Sequence, residues 1–83
     1  FFHLGNTNLR LGNYEEAISN FKEVLSHNEE SPATYTLLGD AYMNLDRRMD
    51  ARRSFNRALE LDPGDRKALR GLKLINDFED ISF

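Results

Sequence analysis

Leu37-Leu38-Gly39-Asp40-Ala41-Tyr42 places a glycine inside a run whose other residues accept a helix. Glycine costs about 1 kcal/mol against alanine in a helix interior. The stretch is therefore informative only if something offsets that cost, and the offset shows when the chain is compared with itself. Shifted by 34 residues, residues 1–34 overlie 35–68 with six identities: Leu4/Leu38, Gly5/Gly39, Leu11/Leu45, Ala17/Ala51, Phe21/Phe55 and Leu25/Leu59. All six are small or apolar. Phe1/Tyr35 and Val24/Ala58 are conservative matches, whereas most polar positions are unrelated. Two halves that agree in this way share a buried framework and differ on their surfaces.

Each half reads as a helix hairpin. Tyr35, Leu38, Tyr42 and Leu45 recur on one helical face, and Ser31-Pro32 supplies an N-cap followed by proline at the first helical position. The next helix carries Ala51, Phe55, Ala58 and Leu59, with Asp46 as its expected cap. In the first half the second helix carries Ala17, Ile18, Phe21, Val24 and Leu25. Asn13 is its expected cap, and Glu15 and Glu16 suit the positive end of the helix dipole. Leu61-Asp62-Pro63-Gly64-Asp65 breaks the chain and offers Asp65 as a new N-cap. A fifth helix is expected over about 66–79, with Ala68, Leu69, Leu72 and Ile75 at helical spacing. Residues 78–83 carry no hairpin signal and are expected to fray. Gly5 and Gly39, with Ala17 and Ala51 on the partner helices, are expected to let two backbones approach closely.

Composition narrows the possible chemistry. There is no cysteine, so disulfides and thiol redox chemistry are absent. His3 and His27 have no companion that would make a zinc set. The net charge of −3 does not resemble a nucleic-acid footprint. No apolar run approaches membrane-span length and no signal peptide is visible, so the default expectation is a cytoplasmic setting without direct membrane insertion. Neighbouring carboxylates such as Glu15/Glu16 do not face each other on a helix. No serine has a base with an orienter in the pattern a nucleophile requires. The reading is non-enzymatic, with no metal and no cofactor.

A 34-residue helix–turn–helix unit carrying an aromatic, Leu-Gly, Tyr, Ala, Phe and Pro resembles the tetratricopeptide repeat. The second half carries the likeness at Tyr35, Leu38-Gly39, Tyr42, Ala51, Phe55, Ala58 and Pro63, and the first at Phe1, Leu4-Gly5, Ala17 and Phe21. It departs at Asn8, where an aromatic is common, and at Glu29, where proline is common. The resemblance implies an all-α fold, a short right-handed solenoid of two hairpins. Repeat 1 spans 1–31 with its first helix about one turn short, repeat 2 spans 32–65, a closing helix spans 66–79 and a tail 80–83. In the closing helix the 34-residue period puts Lys73 at the glycine position. The short first helix is expected to reflect a trimmed chain or disordered earlier residues. It leaves Phe1, Phe2 and Leu4 as an open N-terminal edge through which the chain is expected to self-associate, or else be marginally stable.

The same resemblance implies a role as a protein–protein interaction module or scaffold, with a peptide in the concave groove. The groove residues would be Phe2, Asn6, Leu9 and Arg10 from the first hairpin, Thr36, Asp40, Met43 and Asn44 from the second, and Lys67, Arg70 and Leu74 from the closing helix. Co-chaperones of the family hold the carboxylate tails of heat-shock chaperones with five polar residues. The matching positions here are Phe2, Asn6, Leu37, Lys67 and Gly71, and only Asn6 and Lys67 agree, so that clamp is not expected. Arg47, Arg48, Arg52, Arg53 and Arg57 form the strongest charge cluster and are an alternative docking face. Their simpler reading is a solvated surface paired to Asp46, Asp50 and Glu60. A self-associating spacer and an accessory domain of an enzyme remain as alternatives, because fold alone does not give function.

Overall fold

The computed structural model describes residues 1–81, with side chains as far as Glu79. Five helices follow one another: α1 Phe2–Leu11, α2 Tyr14–Ser26, α3 Pro32–Asn44, α4 Arg48–Leu61 and α5 Arg66–Ile81. No strand occurs among the described residues. α1 packs on α2 and α3 on α4 as two hairpins. α2 also packs on α3 and α4 on α5, while α1, α3 and α5 touch side by side. The stack measures 39 × 26 × 17 Å.

The turns show why the chain reverses where it does. Gly12 has φ 85°, in the left-handed region. Its N–H donates to Leu9 O (3.2 Å) and that of Asn13 to Asn8 O (2.8 Å), which closes α1. The equivalent residue of the second hairpin is Asp46, at φ 61°. Aspartate tolerates this region better than most residues. Asp46 therefore closes α3 and does not cap α4, whose N-cap is Arg47. Asn13 does occupy the N-cap of α2, but its side chain makes no cap bond and donates instead to Asn8 Oδ1 (3.4 Å). Ser31 Oγ accepts from Thr34 N (3.2 Å) as expected, with Pro32 in the first turn. Asp65 Oδ1 accepts from Lys67 N (3.1 Å) and Ala68 N (3.2 Å), capping α5.

The repeated framework forms the core, except that Leu4 and Leu11 of the first hairpin are 53% and 70% exposed. Ala17, Phe21, Ala51, Phe55, Ala58, Ala68 and Ile75 have no exposed surface. Complete burial of one such large apolar side chain is worth roughly 1.5–3 kcal/mol. The glycines are explained by the two phenylalanines. A Cβ on Gly5 would stand 2.7 Å from Phe21 Cε1, and one on Gly39 would stand 2.5 Å from Phe55 Cε1. Each ring occupies the space that a side chain would fill. A third glycine shares this role: a Cβ on Gly71 would stand 2.5 Å from Phe55 Cζ. Phe55 is thus held between α3 and α5, and Lys73, the position picked out by the period, is exposed.

The polar positions at which the hairpins diverge also have a physical reason. Asn8 and Asn20 take the places of Tyr42 and Ser54, and Asn8 Nδ2 donates to Asn20 Oδ1 across the first hairpin (2.8 Å). α5 runs beyond its expected end at about residue 79, so the described part of the expected tail, residues 78–81, is helical. The Arg48 guanidinium lies over the Phe78 ring, 3.8 Å from its centroid, and Arg52 pairs with Glu79. These contacts supply partners that the local sequence does not reveal. Residues 82 and 83 lie outside the described residues.

Candidate functional site

The face shared by α1, α3 and α5 carries the groove candidates, and the structure uses several of them internally. Phe2 is half-buried with its ring centroid 6.0 Å from that of Phe21. Leu9 and Met43 also pack against the core. Thr36, 3% exposed, also serves as a structural joint. Its hydroxyl is 2.8 Å from Pro32 O and 2.6 Å from Asp65 Oδ2. Asp65 therefore caps α5 with one oxygen and ties α5 to α3 with the other. Asn6 and Asp40 are half-buried, whereas Arg10, Asn44, Lys67, Arg70 and Leu74 are exposed. Asn44 Nδ2 donates to the main-chain oxygen of Asp40 (2.9 Å).

A cleft of about 670 Å³ opens between the N-terminal half of α3 and the start of α5. Pro32, Ala33 and Leu37 give it an apolar side. Asp62, Gly64, Asp65, Arg66 and Lys67 line the other, with Ser31 and Thr36 between. Thr36 and Lys67 are the only groove candidates in its lining. The acidic groups are already occupied: Asp62 Oδ1 accepts from Gly64 N (3.1 Å), and Asp65 makes the bonds described above. Arg66 and Lys67 take part in no ion pair among the described residues. Cations in a first helical turn oppose the helix dipole, and this is the sequence signal that could have drawn attention to the cleft.

The arginine face is largely spent on the chain's own carboxylates. Arg47 Nη2 is 3.0 Å from Asp50 Oδ2 and Arg53 Nη1 is 3.6 Å from Asp50 Oδ1. Arg48 pairs with Asp46, and Arg52 with Glu79. Arg57 Nη1 meets Glu60 Oε2 at 2.5 Å, and its Nη2 meets Glu30 Oε2 at 3.1 Å. Tyr35 completes this last group by donating its hydroxyl to Glu30 Oε1 (2.8 Å). The Tyr35 hydrogen bond, followed by that of Arg57, holds the Glu30 carboxyl below its ordinary range. The contact to Glu79 bridges α4 and α5, that to Glu30 joins α4 to the connection before α3, and both are invisible to helical spacing.

No helix among the described residues is long and apolar enough to cross a membrane. A family model described as tetratricopeptide repeat matches residues 8–74. The chain belongs to the tetratricopeptide repeat family. No curated protein matches it. Repeats of this family generally mediate protein–protein interaction, and the family is typically non-catalytic.

Proposed function

We propose that this chain binds a peptide segment of a protein partner on the face shared by α1, α3 and α5, with the cleft between α3 and α5 as the principal contact. The observation that carries the reading is the cleft itself: an apolar side of Pro32, Ala33 and Leu37 faces two cations, Arg66 and Lys67, that form no ion pair among the described residues. An apolar side chain fits the first and an acidic group the second. Asn6, with donor and acceptor on one amide, is available to a peptide backbone further along the face. A cleft of this size with a solvent-accessible charged rim supports a micromolar dissociation constant, roughly 8 kcal/mol, and binding weakens with salt.

The test starts from a partner isolated by pull-down with the full chain. Lys67→Ala, Arg66→Ala and Asn6→Ala should each weaken binding, while Arg53→Ala on the opposite helix layer should not. Loss of binding in Arg53→Ala alone would move the docking site to the arginine face. A second reading, self-association, is favoured by Phe1, Leu4 and Leu11, which are 65%, 53% and 70% exposed along α1. Sedimentation should then show a concentration-dependent mass that Leu4→Glu abolishes. A monomer at every concentration would refute it.

A further inference from the structure

Asp40 differs from every other carboxylate near the cleft. It lies one helical turn beyond Thr36 on α3, so the two share a face. It is half-buried, yet its carboxylate makes no hydrogen bond or ion pair among the described residues; only its main-chain oxygen is engaged, by Asn44. Asp62 and Asp65, by contrast, are satisfied by main-chain N–H groups and Thr36. Burial raises the Asp40 carboxyl above its ordinary value, and the positive charge of Lys67 on α5 opposes this only in part. Withdrawing a carboxylate from water without giving it a donor is unfavourable. The Asp40 carboxylate is not sealed from solvent, so a ligand can reach it and supply the donor that the chain does not.

We infer that Asp40 and Lys67 read the charge order of the bound segment: an N–H donor of a basic side chain pairs with Asp40, an acidic group lies against Lys67, and an apolar residue between them enters the cleft beside Leu37. The inference rests on the groove reading above and adds the ligand's chemistry to it. Asp40 and Lys67 come from different helices and form no direct ion pair among the described residues, and the Lys67 charge offsets only part of the cost of burying Asp40. A segment carrying both charges satisfies both, and a segment with the order reversed sets like charges against each other.

The experiment is a selection from a displayed library of random seven-residue peptides. It is run in parallel on the 83-residue chain and on an Asp40→Lys/Lys67→Asp variant of equal net charge. The wild type should enrich segments with a basic and an acidic residue flanking an apolar one, and the swapped variant should enrich the opposite order. Asp40→Asn and Lys67→Met, which change shape little, serve as folding-safe checks. Each should weaken a synthetic wild-type-selected peptide about tenfold, the scale of one charge-assisted hydrogen bond. The same charge order from both proteins, or a peptide insensitive to both single variants, would overturn this inference and leave the groove reading standing. No enrichment on the wild type would overturn both.

Discussion

Gly71→Ala is the most direct probe of how α5 closes the stack. In an unconstrained helix the change would stabilise by about 1 kcal/mol, because alanine is the better helix former. Here the new methyl would stand 2.5 Å from Phe55 Cζ and 2.8 Å from Cδ2. The ring cannot retreat, since Gly39 lies against its other edge and Phe55 has no exposed surface. Overpacking of a core typically costs about 1–3 kcal/mol, and with no direction of escape the cost should exceed the propensity gain. A net loss of about 1–2 kcal/mol follows. For a domain of this size that lowers Tm by roughly 5–15 °C. Thermal and urea unfolding followed by circular dichroism would measure it. In a Phe55→Leu background the colliding ring atoms are gone, so the same substitution should cost little, giving a positive coupling in the double-mutant cycle. Lys73→Ala, at the position named by the 34-residue period, should stay within about 0.5 kcal/mol of wild type. A neutral or stabilising Gly71→Ala, or an equal loss with Leu at position 55, would refute the ring-against-glycine account.

Asn20→Ala should cost about 1 kcal/mol in urea unfolding by leaving Asn8 without its partner. The paired change Asn8→Tyr/Asn20→Ser, which installs the second hairpin's residues, should recover most of it; equal losses in single and double variants would contradict the pairing. Glu30 is held low, so its stabilising contribution is present above its ordinary value of 4.5 and is lost as pH falls through the depressed one. Glu30→Gln should therefore remove an acid-sensitive step below pH 4.5. Asp40 has the opposite sign: its folded carboxyl binds a proton more readily than the unfolded one, so stability falls as pH rises from 3.8 through the raised value. Asp40→Asn should be more stable than wild type at neutral pH, and an unchanged melting curve there would count against the desolvation. A peptide ending Glu-Glu-Val-Asp should not bind specifically, because an arginine at Gly71 is blocked by Phe55 and Leu37 is apolar. Calorimetry showing low-micromolar affinity that Lys67→Ala abolishes would reverse this conclusion.

The hairpins were legible because apolar residues repeat with the period that the packing imposes. Gly39, Ala51 and Phe55 occupy equivalent places to Gly5, Ala17 and Phe21, and burial leaves such positions little freedom. The end of the array was not legible in the same way. In α3, Thr34, Thr36, Leu38, Gly39, Ala41 and Tyr42 are all buried, and Gly39 meets Phe55 of α4. α5 has no following helix among the described residues, and only Ala68, Gly71 and Ile75 of its described side chains are buried. The period correctly transferred the helix but marked Lys73 instead of Gly71. The second role of Thr36 was hidden for a related reason: the Asp65 carboxylate that it bonds comes from a loop 29 residues away.

The cleft belongs to a junction and not to a repeat, and this determines what must be intact for binding. Pro32, Ala33 and Leu37 come from α3, whereas Asp62, Gly64, Asp65, Arg66 and Lys67 come from the connection after α4 and the first turn of α5. Asp65 joins these two sides through Thr36 at 2.6 Å while its other oxygen fixes the α5 N-terminus. α5 is then held by Gly71 against Phe55 of α4 and by burial of Ala68 and Ile75, and near its far end by Arg48 on Phe78 and Arg52 on Glu79. The arginines that looked like a docking face in the sequence thus help to keep α5 in position, and α5 supplies the cations of the cleft. A hairpin of α3 and α4 alone would retain the apolar side but lose Arg66, Lys67 and the Thr36 joint. The closing helix is therefore both the cover of the core and half of the candidate binding surface.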